Sequence, residues 1–287
     1  MKKLVFTLAT CCIMCACEQK TETNPFFTEF RTEYGAPDFD KIKIEHYEPA
    51  FLKGIEEQNA EIKAIVESRE TPGFENTIVA LDNSGRTLAR VKGVFYALTE
   101  ADTNDEMSAL SEKIAPVLSE HNDNIYLNQD LYKRVAAVWQ QEQEGKITLT
   151  TEQHRLLDRY YKAFIRSGAG LDAGKQNRLR EINKELSTLA ITFSNHVLNE
   201  NNAYRLVIDN EAELAGLPEW VKTGAAEEAK AVGKEGKWLF TLQNSSRLPL
   251  LQYADNRELR KDIYEAYINR GNNCLLYTSP SPRDPKT

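Results

Sequence analysis

The chain has 287 residues, of which 41% are hydrophobic and 28% are charged, and its formal net charge is −7. This composition is that of a globular protein and excludes a disordered chain, while the length allows one large domain or two small ones. Residues 222–237 are the nearest candidate for a basic stripe, but three glutamates interrupt them, as in a solvated helix face. This argues against nucleic acid as a partner.

The N-terminus predicts a lipoprotein signal peptide over residues 1–16, in which two lysines precede an apolar run that is too short to span a bilayer. Its end, Ala16-Cys17, resembles a bacterial lipobox with Cys17 as the acylated residue. The alternative is an ordinary secretory signal that leaves Cys17 as a free thiol. We expect lipidation, a polar tether over residues 17–24, and a membrane-anchored lipoprotein of the bacterial cell envelope, periplasmic or in the outer membrane.

Cysteine is confined to the two ends of the chain. Residues 18–273 contain none, which excludes a disulfide framework for the globular part even in an oxidising compartment. The five cysteines are Cys11, Cys12, Cys15, Cys17 and Cys274.

Apolar residues recur every three or four positions through most of the remaining chain, which predicts a mostly α fold. A first helix has Pro49 in its first turn, where a missing amide is tolerated. Residues 78–98 and 107–125 each carry an apolar stripe, and the short polar link between them predicts an antiparallel helix pair. We expect a capping box of Thr103 and Glu106 before the second helix, and a kink at Pro116 inside it.

The second half continues with helices and then changes period. Asn128 is expected to cap one helix, and Thr150 and Gln153 to form a capping box for the next. Residues 172–199 predict the longest helix, whose stripe suits a second long helix as partner. Residues 204–209 and 237–243 alternate as strands do, with a helix over 218–232 between them. A last helix over 255–270 is predicted to start at a cap pair, Asp255 and Glu258. These elements predict long antiparallel helices with a small two-stranded β insertion.

Several blocks of sequence resemble one known protein family. They are FDKIKIEHYEPAF, FENTIVAL, VFYALTEADTND, RLREINKELSTLAITFSN and GKWLFTLQNSSRLPLL. They are similar to the N-terminal region of the thimet-oligopeptidase family of zinc metallopeptidases, above all to its bacterial dipeptidyl carboxypeptidase (peptidyl-dipeptidase) type. The resemblance implies that residues 25–273 are the N-terminal part of a larger helical peptidase fold. It also implies that the complete protein uses zinc to release C-terminal dipeptides from a peptide substrate.

The zinc motif of that family, H-E-x-x-H on a helix, does not start at any of the four histidines, His46, His121, His154 and His196. Two pairs have ligand-like helical spacing, His154 with Asp158 and His196 with Glu200. Each pair supplies two ligands where zinc needs three or four, so a helical ion pair or hydrogen bond is the preferred interpretation. His121 falls in an apolar stripe, which predicts a partly buried histidine with a hydrogen bond. We therefore predict no catalytic, cofactor-binding or metal-ligating residue in this chain.

Residues 274–287, CLLYTSPSPRDPKT, depart abruptly from the helical pattern and from the family resemblance. They look like the translation of a sequencing adapter, and the alternative is a genuine proline-rich tail. If the tail is foreign, the chain is the front part of a longer protein whose zinc ligands lie further on. A second functional hypothesis is a non-enzymatic helical lipoprotein of the cell surface that binds a ligand or scaffolds an assembly.

Overall fold

A computed structural model describes residues 24–272 of the chain. The predicted signal peptide, nearly all of the tether with Cys17, and the tail from 274 to 287 lie outside the described residues. The fold is mostly α-helical with one small sheet, as predicted. In chain order the elements are α1 (Tyr47–Glu67), α2 (Ala80–Asp82), α3 (Arg86–Ala101), α4 (Asp105–Tyr126), α5 (Gln129–Gln143), α6 (Thr151–Arg166), α7 (Ala173–Ala203), β1 (Leu206–Ile208), α8 (Glu219–Ala231), β2 (Trp238–Phe240), α9 (Asn244–Tyr253) and α10 (Arg257–Ile268).

Helix α1 is the centre of the first part of the fold. Its N-terminal half packs on α3, and Gly54 permits this close approach, because a Cβ there would lie 2.8 Å from the Leu88 Cα. Phe51 forms a core with α3 and α4 in which Phe51 and Phe95 meet edge to face, their ring centroids 5.3 Å apart. The C-terminal half of α1 instead contributes Ile62 and Ile65 to a second core, shared with α5 and α6. One helix therefore joins two cores.

The predicted continuous helix over residues 78–98 is wrong. A π-helical turn (Phe74–Val79) and the short α2 come first, and a turn at Gly85 separates them from α3. Gly85 has φ +72°, in the left-handed region that favours glycine, and its amide donates to Glu61 Oε2 at 2.7 Å. The apolar period continues across this break because residues on both sides of it pack against α1.

The predicted close pairing of residues 78–98 with 107–125 is also wrong. Helix α3 packs mainly on α1, whereas α4 packs mainly along α7, and α3 and α4 share a core through α1. The predicted capping box at Thr103 is displaced by one residue, since Asn104 Oδ1 accepts from the Met107 amide at 2.9 Å. Helix α4 continues through Pro116.

The remaining helix starts in this part of the fold agree with the sequence. Asn128 accepts from the amides of Asp130 and Leu131 at the start of α5. Thr150 and Gln153 form the predicted capping box of α6, with bonds of 3.0 and 3.3 Å. Helix α7 is the longest, with 31 residues, and Asp172 caps its start.

Residues 204–272 form a smaller unit with its own core. Strands β1 and β2 pair antiparallel, with Val207 opposite Leu239, and α8 lies between them in the chain. The predicted cap pair of the last helix is wrong, because Asn256 is the cap and its Oδ1 accepts from the amides of Glu258 and Leu259. Helix α9 was not predicted, since Pro249 interrupts its apolar pattern. Within residues 24–272, no helix is both long and apolar enough to cross a bilayer.

Candidate functional site

Three side chains of the two histidine–carboxylate pairs, His154, Asp158 and Glu200, form hydrogen bonds with groups outside their pair. His154 Nδ1 lies 2.7 Å from Glu142 Oε1 on α5, and Asp158 Oδ2 accepts from Lys162 Nζ at 2.8 Å. The predicted pairing of His154 with Asp158 is therefore wrong, because α5 supplies a closer carboxylate. Glu200 Oε2 accepts from the Gly271 amide at 2.6 Å and so joins α7 to the C-terminal unit.

No set of three or more His, Cys, Asp or Glu side chains within residues 24–272 could hold a metal ion. The residues that the structure describes thus do not fit the zinc centre that the family resemblance implies. We assign no chemical step to them.

His121 lies in a small cavity of about 190 Å³ where α1, α3 and α4 meet. His121 is 5% exposed, so it is more deeply buried than predicted, and its Nε2 forms the expected hydrogen bond by donating to Gln58 Oε1 at 2.8 Å. Its Nδ1 is buried and has no hydrogen-bond partner among the described residues. Burial, together with the nearby charge of Lys92, lowers the pKa of His121 and so favours the neutral imidazole.

A polar groove of about 550 Å³ runs between α4, α6 and α7 and is the best candidate for a binding site. Asp123 lies at its floor and is 5% exposed, although it is a carboxylate. The Asn183 amide donates to Asp123 Oδ1 at 2.8 Å and so joins α4 to α7. Leu179 and Leu186 add apolar surface to a groove lined otherwise by hydroxyl, amide and charged groups.

Asp123 has no cationic partner within 4 Å among residues 24–272. Arg180, whose charge acts on Asp123, donates instead to Asn124 Oδ1 at 2.8 Å. Burial raises the pKa of Asp123, and the Asn183 hydrogen bond and the Arg180 charge oppose the shift. A buried carboxylate without an ion pair is unfavourable, and such groups are found preferentially at functional sites.

Arg166, in the last turn of α6, lines the same groove. It is exposed, and no hydrogen bond or ion pair involves its guanidinium within the described part of the chain. The groove therefore presents one negative and one positive group that are not paired with each other. Sequence reasoning missed both residues, because only the tertiary packing of α4, α6 and α7 brings them to one groove.

A second, larger groove of about 900 Å³ lies between the start of α1 and α4. Its lining is mostly apolar, with Pro49, Leu52 and Leu110, and its charges are paired internally, as in the 2.6 Å bond between Glu48 and Lys113. Of the charged residues that line it, only Glu106 has no ion-pair partner within residues 24–272.

Comparison with known proteins shows which proteins the chain is similar to. No family model matches it. It is 39% identical to dipeptidyl carboxypeptidase of Escherichia coli over 246 residues, which are 86% of this chain and 36% of that protein. It is 33% identical to oligopeptidase A of Salmonella typhimurium over 248 residues, 86% of this chain and 35% of that protein.

A plant relative, the probable cytosolic oligopeptidase A of Arabidopsis thaliana, is 26% identical over 261 residues, 89% of this chain and 36% of that protein. The chain thus spans about a third of the length of these relatives. Over most of its length, the chain is homologous to metallopeptidases of the thimet-oligopeptidase family.

Proposed function

We propose that this chain is the N-terminal part of a zinc metallopeptidase that releases dipeptides from the C-termini of peptides. The observation that supports it is the 39% identity to a dipeptidyl carboxypeptidase across 86% of the chain. The zinc ligands and the glutamate that activates the zinc-bound water are proposed to lie beyond residue 273, in an H-E-x-x-H motif.

In this proposal the described residues bind and confine the peptide, and they take no part in its cleavage. The helices α1, α4 and α7 form a wall beside which the substrate lies, and the groove at Asp123 and Arg166 offers it polar contacts. A helical wall of this kind would exclude folded proteins by size.

The cellular location is a separate part of the proposal. Cys17, as the acylated residue of a mature lipoprotein, would hold the protein at a membrane of the bacterial envelope. Mass spectrometry of membrane-fraction protein should show an acylated N-terminal peptide that begins at Cys17. An unmodified thiol at that residue would contradict the anchor and leave the peptidase proposal unaffected.

Zinc content and peptide cleavage test the functional proposal together. After dialysis, we expect the chain of 287 residues to retain no stoichiometric zinc and to release no dipeptide from a short unblocked peptide. Stoichiometric zinc with chelator-sensitive turnover would overturn the location of the active site. If the natural gene also lacks H-E-x-x-H downstream, the non-enzymatic binding lipoprotein becomes the better account.

A further inference from the structure

We propose that the groove between α4, α6 and α7 binds a short zwitterionic peptide, with its ammonium group at Asp123 and its carboxylate at Arg166. The inference deepens the proposed peptidase function and rests on it, because dipeptides are the product of that reaction. It assigns to this groove one class of ligand, a short peptide with both ends unblocked.

The inference rests on the two charged side chains that line the groove, and the first of them is Asp123. Asp123 is almost completely buried, faces the groove, and has the Asn183 amide but no cation within bonding distance in the described structure. An ammonium group that entered the groove would supply the missing counter-charge in a partly desolvated place, where ion pairs are stronger than at the surface.

Arg166 requires a ligand group of negative charge. Its guanidinium is free of partners among residues 24–272 and can bind a carboxylate through two parallel N–H donors. A ligand that satisfies both groups must carry both charges, and an unblocked peptide carries them at its two ends. A simple amine, a simple carboxylic acid or a metal cation would satisfy only one.

The size and the remaining surface of the groove favour a short peptide. Its volume of about 550 Å³ is in the range of small-molecule sites. Ser119, Asn122 and Ser187 offer hydrogen-bond donors and acceptors of the kind that a peptide group requires. Leu179 and Leu186 provide apolar contact for one side chain of the ligand.

Calorimetric titration of the full chain with three forms of one dipeptide tests the proposal. The probes are Ala-Leu, its N-acetyl form and its C-terminal amide. We expect the unblocked dipeptide to bind about tenfold or more tightly than either blocked form, because each blocked form loses one charged contact. Equal binding of the three forms, or no binding at about 10 mM, would overturn the proposal.

Two variants should separate the two ends of the ligand. Asp123→Asn keeps the size and the Asn183 hydrogen bond, and it should abolish discrimination against the N-acetyl form only. Arg166→Gln should abolish discrimination against the amide only, and because Arg166 is exposed this variant remains informative if the first one does not fold.

The matched controls are Asp130→Asn and Arg178→Gln, which remove exposed charges that are already paired with Lys133 and Glu181. Both should bind all three probes as the unchanged chain does. Discrimination that survives Asp123→Asn and Arg166→Gln would place the dipeptide elsewhere. None of these titrations requires turnover, so a failure of the peptidase proposal would be visible separately, as the lack of a zinc motif downstream.

Discussion

Helices α1 and α7 are both long and amphipathic, yet they are buried to very different extents. Helix α1 has 21 residues and contributes to two cores, one at each half. Helix α7 has 31 residues, and the only one that is buried is Gln176, whose amide donates to two carbonyls of the preceding turn. Its stripe residue Leu186 remains 56% exposed although α4 packs alongside.

The difference shows that apolar periodicity predicts which face of a helix can be buried. It does not predict whether other elements of the fold cover that face. Helix α1 is enclosed by α3, α4 and α5, whereas α7 meets α4 along one side only. Helix α7 also joins two parts of the chain, since Glu200 and Asn201 near its end bind residues 270 and 271. Substitutions on the two helices should therefore have unequal effects.

The largest effect is expected at the centre of α1. Phe51 is fully buried, so Phe51→Ala should lower the free energy of unfolding by about 3–5 kcal/mol through lost burial and the cavity it leaves. Urea denaturation followed by circular dichroism measures this loss. A loss below about 1 kcal/mol would mean that α1 is not the centre of the core.

A smaller effect is expected where α1 approaches α3. Gly54→Ala should cost about 1–3 kcal/mol, because the new methyl group would meet the Leu88 backbone, which cannot move without displacing a helix. Gly93→Ala is the matched control, since a Cβ there meets nothing within 4 Å, and it should stabilise α3 by up to about 1 kcal/mol. Equal effects of the two substitutions in thermal unfolding would contradict the close approach.

The pH dependence of stability should show the burial of His121 between α1 and α4. Its pKa is lowered in the folded state, so the unfolded chain binds the proton more tightly, and stability should fall as the pH drops below about 6.5. The effect should be smaller than that of Phe51→Ala because it involves one proton. His121→Gln should flatten this part of the profile, and an unchanged slope would assign it to other groups.

The smallest effect is expected on the exposed side of α7. Leu186→Ala should change the free energy of unfolding by less than about 0.5 kcal/mol, since the side chain has little burial to lose. The same denaturation experiment as for Phe51→Ala gives the direct comparison. A loss of 2 kcal/mol or more, about that of a core leucine, would mean that something covers α7 in solution.

Local signals in the sequence predicted the elements better than their partners. The helix caps at Asn128 and Thr150 are where the side-chain chemistry requires them, because a cap depends on residues within one turn. The predicted pairing of α3 with α4 was wrong because a short link makes two helices neighbours in the chain only. It does not determine which helix the apolar stripe of each one packs against. Gly54 decides that fit by admitting Leu88, and nothing near Gly54 in the sequence marks it.

Sequence patterns could not predict the candidate site, because it too depends on which helices pack together. Asp123 lies two residues after the stripe position His121, outside the apolar stripe, and only the neighbouring α7 makes it buried. Arg166 is a common residue for the last turn of a helix, so its position there predicts nothing more. The family, in contrast, was recognised from whole blocks of sequence, and the comparisons confirm it.

The most direct test of the functional account is the sequence of the natural gene beyond the codon for Asn273. The account predicts that the reading frame continues with helical sequence in place of CLLYTSPSPRDPKT and encodes H-E-x-x-H further on. A frame that encodes this tail and then stops, or that continues without the motif, would contradict a zinc peptidase and favour a binding lipoprotein.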